Sequence, residues 1–220
     1  MEMNLNEQIY RIQEMMGLII EEKKSFENKP IILVGSQGTG KSTTSKALAK
    51  KLKIPHITTD MSMVDKKYEK FCKNKPGVKV KIKRHPTQGV YYDSNDEYVL
   101  CVLNKLMDEY GNKKIVLDVG GTHAYASPKH SSDIVKMFTE SPNLFVFNVN
   151  DDEDESYEFL KKRRKNRGDE TKNEDEKKFK DVIKKINNYY KKTQKISIIN
   201  KDKSSKTTNE LVDEIIDKLK

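Results

Sequence analysis

The sequence predicts a three-layer α/β/α fold built on a mostly parallel sheet of five strands. Three observations carry this. Short continuous apolar runs alternate with longer segments of helical period, the first run leads into a glycine-rich turn, and a helix pattern follows that turn at once. Continuous apolar runs mark strands buried on both faces. Strands separated by helices need right-handed crossovers, which lay helices on both sides of a parallel sheet.

The elements follow in order. Leu5, Ile9, Ile12, Met16 and Ile19 recur at spacings of four and three, so residues 1–28 predict an N-terminal amphipathic helix. That helix packs on the core or pairs with another copy of the chain. Residues 29–220 then form one domain, opening with the strand PIILVG. The helix KSTTSKALAKKL comes next and turns Ala47, Leu48 and Leu52 inward. Further strands are expected at 56–58, 115–119, 144–149 and 196–199. Tyr98, Val102, Leu106 and Tyr110 line one side of a helix over 96–110, and Phe179, Val182, Ile183, Ile186, Tyr189 and Tyr190 one over 175–192. The last helix opens at TTNE, where Thr207 and Glu210 can cap each other's backbone donors, and buries Leu211, Ile215 and Leu219. Between these, Val78, Val80 and Ile82 alternate with Lys79, Lys81 and Lys83, the period of a strand, and HPTQG turns the chain toward VYY.

Composition narrows the partners. Lys and Arg number 43 against 34 Asp and Glu, a net charge of +9 that favours anionic ligands. The excess is mostly lysine scattered along helices, which solvates exposed faces and does not point to nucleic acid. No apolar stretch approaches the roughly 18 residues that cross a bilayer, and the N-terminus has no secretory pattern. Cys72 and Cys101 lack metal-type spacing, so the expectation is a reduced, cytoplasmic protein. His123 and His130, like His56 and His85, are read as polar or packing residues.

The glycine-rich turn carries the chemistry. Gly35, Gly40, Lys41 and Ser42 fit G-x-x-x-x-G-K-[ST] between a strand and a helix, the P-loop pattern. Its backbone N–H groups cradle phosphates, and the helix that follows adds its positive end. Gly35, Gly38, Thr39, Gly40, Lys41, Ser42 and Thr43 are the expected ATP-binding residues, with Lys41 reaching the β- and γ-phosphates. Mg²⁺ is expected on the Ser42 hydroxyl and, through water, on Asp118, which ends the apolar run IVLD. Because ligands of such sheets bind beyond the carboxyl ends of the strands, the chemistry belongs just after Val34, Thr58, Val119 and Val149. No second acidic residue beside Asp118 is present to activate water, and no N-K-x-D element to read guanine. Both absences favour transfer to a small acceptor over a motor or switch.

GSQGTGKSTTSKALAKKLKIPHITTD, together with VGGT and the closing NNYYKKTQKISIIN, resembles the shikimate kinases, and the looser group of nucleoside and nucleotide kinases shares the plan. The resemblance implies an ATP-dependent phosphotransferase acting on a small polar or anionic acceptor. Asp60 matches the aspartate that holds the acceptor, and Gly120 and Gly121 match two glycines of a triplet whose third position is Thr122. Thr58 stands where the family has an earlier aspartate. Arg84 corresponds to the first carboxylate-binding arginine, whereas the later one has no counterpart. The acceptor region spans about residues 60–95 and a lid about 161–176, with Arg167 closest to the lid arginine and Arg163 and Arg164 beside it. A nucleoside or nucleoside monophosphate is the alternative acceptor. The rival from another class is an NTP-binding regulatory or nucleic-acid-associated protein.

Overall fold

A computed structural model of the chain describes residues 28–59, 62–85, 89–94, 96–120, 123–124, 131–166 and 176–219. The expected N-terminal helix lies outside these residues. Five strands form one wholly parallel sheet: β1 (Ile31–Gly35), β2 (His56–Thr58), β5 (Val116–Asp118), β6 (Leu144–Asn148) and β7 (Gln194–Ser197). Their order is β2-β5-β1-β6-β7, which puts β1 at the centre. All five residues of β1 are buried, the consequence of a strand covered on both faces.

The pleat sorts alternate residues to opposite faces. Ile32 and Val34 enter one core cluster, and Ile31 and Leu33 the other. The first is closed by α2 (Ser62–Cys72), α3 (Asp96–Tyr110) and α4 (Ser131–Thr139), through Tyr68, Leu103, Leu106, Ile134 and Phe138. The second is closed by α1 (Lys41–Leu52), α5 (Glu153–Asn166) and α7 (Thr208–Leu219), through Leu48, Leu160, Leu211 and Ile215. Helix α6 (Glu176–Tyr189) serves both, with Phe179 and Ile183 in one cluster and Ile186 in the other. This is the three-layer arrangement the sequence predicts. Its last strand begins two residues earlier than expected and ends at Ser197, whose hydroxyl then donates to the Ile199 carbonyl as the chain leaves the sheet. The capping box of α7 is formed as expected. The Thr207 N–H donates to Glu210 Oε2 (2.7 Å), and the Glu210 N–H to Thr207 Oγ1 (3.3 Å).

The lysine-rich alternation is a strand, as its period requires. β3 (Val80–His85) pairs antiparallel with β4 (Gly89–Ser94) in a separate two-stranded sheet, in register from Val80 opposite Ser94 to His85 opposite Gly89. The hairpin is inserted between α2 and α3. These helices are tied by Glu109, which accepts from Lys67 and from the Tyr68 hydroxyl (2.7 Å). The Lys67 ammonium first, and the Tyr68 hydroxyl next, pull the Glu109 carboxyl from 4.5 down to about 2. A depressed carboxylate stabilises the fold fully above its unfolded pKa and less as pH falls through its folded one. The Glu109 contribution is therefore present above pH 4.5 and lost on acidification toward about 2. Urea midpoints measured between pH 6 and about pH 3 should fall less steeply in Glu109→Gln than in the parent protein.

A second tie overturns an expectation. Cys72 and Cys101 are not free thiols but a disulfide, with Cα atoms 5.8 Å apart. Spacing could not show this, because only the packing of α2 on α3 makes residues 29 apart into neighbours. Closing a loop of that length restricts the unfolded chain by roughly 3–4 kcal/mol on the chain-entropy account. Cys72→Ser should lower the unfolding free energy by about that much. A reductant should lower the parent by a similar amount and leave the variant unchanged. No helix among the described residues is long and apolar enough to cross a membrane.

Candidate phosphate-binding site

The site lies where the carboxyl ends of β1, β2 and β5 meet. Parallel pairing sets Leu33 beside Asp118, and Thr58 beside Asp118 on the other flank, so the ends of all three strands fall together. After Gly35 the chain must leave the sheet and enter α1 within a few residues. Gly38 and Gly40 make that turn with φ of 90° and 87°, values that side chains strongly disfavour. Gly35 meets a different constraint. A methyl group there would stand 2.8 Å from Phe147 Cβ, so β1 and β6 could not approach as they do. Thr39 is buried, its hydroxyl donating to the Ser36 carbonyl (2.9 Å). Gly40 is the N-cap of α1 and supplies no side-chain cap, the kind of helix N-terminus that favours an anion.

Lys41 begins α1 but does not point into solvent. Its Nζ donates to Asp118 Oδ1, and the two side chains are only 5% and 1% exposed. Asp118 Oδ2 is buried with no hydrogen-bond partner, as is Thr44 Oγ1 one turn into α1. A buried carboxylate oxygen of this kind costs free energy unless a donor or cation reaches it. Ser42 and Thr43 are exposed at the first turn of α1. An exposed hydroxyl at Ser42 and an oxygen of Asp118 without a partner suit a hard cation that keeps most of its water. Behind the loop, Ser45 Oγ lies 2.9 Å from His56 Nε2. Burial holds the His56 pKa below its ordinary value; the Asp118 charge opposes this, and Lys46 and Lys41 add to it.

The carboxyl end of α5 reaches the same loop. Acidic residues fill the first turn of α5, and Arg163, Arg164 and Lys165 its last, the order that suits the helix dipole. Two of those arginines do more than balance it. A methyl group at Gly40 would stand 3.0 Å from Arg163 Nη2, and one at Gly38 3.0 Å from Arg164 Cγ. The Arg164 side chain is 2% exposed, and its guanidinium carbon lies 5.0 Å from the centre of the Phe179 ring on α6. Stem on glycine and head on an aromatic face fix this side chain in a single place.

On the opposite flank, buried Thr59 joins the ends of β2 and β5. The Thr59 N–H donates to the Asp118 carbonyl (2.9 Å), the Gly120 N–H donates to Thr59 Oγ1 (2.8 Å), and His123 Nδ1 lies 3.0 Å from the same hydroxyl. Sequence reasoning missed Thr59 and read His123 as a polar or packing residue. Neither carries a motif, and the Gly120–Thr59 link joins residues 61 apart in sequence.

The structure therefore gathers Gly35, Gly38, Thr39, Gly40, Lys41, Ser42, Thr43, Asp118, Arg163 and Arg164 around one loop, with Gly120 beside them. Arg84 is on β3, opposite Val90. Asp60, Gly121 and Arg167 lie outside the described residues. Among the described residues no group of three or more His, Cys, Asp or Glu side chains could hold a metal ion by itself.

Comparison with known proteins adds a family and a fold. The model of the ATPase family associated with various cellular activities (AAA) matches residues 31–201. No curated protein matches the chain. Among solved structures, shikimate kinase from Acinetobacter baumannii in complex with shikimate is 17% identical, with a TM-score of 0.55 over 89% of this chain and 94% of that one. A gluconokinase from Sinorhizobium meliloti 1021 is 13% identical, with a TM-score of 0.50 over 88% and 92%. YorR protein from Bacillus subtilis, in complex with phosphorylated GDP, is 17% identical, with a TM-score of 0.50 over 86% and 94%. At these identities the likeness is one of fold.

Proposed function

The chain belongs to the ATPase family associated with various cellular activities (AAA), and from that premise we propose that it moves the γ-phosphoryl group of ATP to a small polar or anionic acceptor. The observation that carries this reading is the seating of Arg164 on Gly38 and of Arg163 on Gly40 within one chain. Phosphoryl transfer needs positive charge on the transferring group and little covalent help from the protein. Here Lys41 and two arginines supply that charge without a partner subunit.

The loop N–H groups and the amino end of α1 would bind the phosphates. Lys41 would exchange its contact with Asp118 for the β- and γ-phosphate oxygens, leaving both Asp118 oxygens to the water shell of Mg²⁺ beside Ser42. The ion would neutralise charge that develops between the β- and γ-phosphates. Asp60 and Arg167 keep the roles that the resemblance implies, orienting the acceptor and closing over the phosphates. Arg84, Gly120 and Gly121 would contact the acceptor. Positioning and electrostatic stabilisation would supply most of the rate.

The test is ADP release in the presence of ATP and Mg²⁺, screened over shikimate, sugar acids, nucleosides and nucleoside monophosphates. One acceptor class should raise release well above the acceptor-free rate. Release that no acceptor accelerates would reject transfer in favour of slow hydrolysis by a regulatory protein. Binding to DNA or RNA with a steep salt dependence would point the same way.

A further inference from the structure

A groove of about 430 Å³ lies between α2 and α3, far in chemistry from the phosphate loop, and Cys101 is part of its lining. Its volume falls within the range of small-molecule sites, about 300–1,000 Å³. Phe71 stands at its edge 44% exposed, the one exposed large apolar side chain among the described residues. Lys75 and Lys105 hold their ammonium groups 4.6 and 4.3 Å from the centre of that ring. Lys105 also meets Asp108 at 3.3 Å. Glu97 shares the lining, so its charged side chains leave one net positive charge.

The two cysteines of the disulfide differ in exposure. Cys72 is wholly buried in the core cluster, whereas Cys101 is half-buried and lines the groove. Thiol–disulfide exchange begins when a thiolate reaches one sulfur, so access decides which sulfur is attacked. Positive charge at the groove mouth concentrates anions there.

We propose that Cys101 is a thiolation site and that the Phe71–Lys75–Lys105 groove admits small anionic thiols to it. The incoming thiolate sulfur bonds to Cys101 Sγ as the Cys72–Cys101 bond breaks. The bonding pair leaves on Cys72 Sγ, which takes a proton from water. The incoming thiol is oxidised to a mixed disulfide while Cys72 is reduced to a thiol, so no further oxidant is needed. Exchange also releases the covalent tie between α2 and α3, the two helices that flank the β3–β4 hairpin. None of this depends on the phosphotransfer reading.

The experiment treats the folded full chain with mercaptoethanesulfonate, whose attacking thiolate form carries two negative charges, or 2-mercaptoethanol, whose thiolate carries one, at equal thiolate concentration. Free thiols are then alkylated and the peptides mapped by mass. The adduct should form on Cys101 with Cys72 alkylated, and the doubly charged thiolate should react about fivefold faster than the singly charged one. Lys75→Glu with Lys105→Glu should reverse that preference. In the unmodified protein the rate ratio should shrink toward one in about 1 M salt, where the screening length is about 3 Å, a readout that needs no variant. An adduct mainly on Cys72, a disulfide that resists both probes in the folded protein, or equal rates at low salt would each overturn the proposal.

Discussion

Lys41→Met should lower ATP turnover on the order of 10³-fold and destabilise the protein by about 3 kcal/mol. The two losses have separate causes. Turnover should fall because the cation proposed to meet the β- and γ-phosphates is gone, and a thousandfold loss corresponds to roughly 4 kcal/mol of transition-state stabilisation. Stability falls because Asp118, 1% exposed, is left as a buried carboxylate without the Lys41 ammonium. A buried ion pair adds little net stability, but breaking it strands a desolvated charge. Adding Asp118→Asn to Lys41→Met removes that charge, so the double variant should regain most of the stability while turnover stays low. Urea denaturation and ADP release, measured on both variants, separate the effects. A Lys41→Met protein with turnover near the parent's would remove the loop from the chemistry.

Arg163→Ala and Arg164→Ala should each cut turnover by roughly 10²–10³-fold, the range for losing one preorganised charge at a transferring group. Their effects on stability should differ. Arg163 is half-buried beside Gly40, and its truncation should move the urea midpoint little. Arg164 packs its stem on Gly38 and lays its guanidinium over Phe179, so Arg164→Ala should also cost about 2–3 kcal/mol of stability. Arg164→Lys should recover part of the packing without recovering turnover, since an ammonium cannot reproduce a planar guanidinium on an aromatic face. Full turnover in Arg164→Lys would show that charge alone matters at this position. Unchanged turnover in both alanine variants would leave α5 as a structural helix.

Much of the fold was legible because it rests on local signals. The apolar run at Ile31 and the glycines after it specify a buried strand followed by a tight turn, whatever the rest of the chain does. Helix α3 was readable to its ends, since its period is unbroken from Asp96 to Tyr110. The end of β7 was not, because Ile198 and Ile199 look like strand residues in isolation. Only the loop that follows, closed by the Asn200 N–H donating to the Ser204 carbonyl (2.8 Å), takes them off the strand.

The site divides along the same line. Gly35, Gly40, Lys41 and Ser42 are read from spacing, because a phosphate cradle is built within a single turn of chain. The pairing of Lys41 with Asp118, the reach of Arg163 and Arg164 to the loop, the Thr59 link to Gly120 and the Cys72–Cys101 bond all join segments distant in sequence. Sequence by itself marked the loop proposed to hold a nucleotide's phosphates and the residues that form it. Tertiary structure alone decided which charges converge there and which cysteine lines a groove, because convergence follows from the packing of helices on a sheet and leaves no periodic trace along the chain.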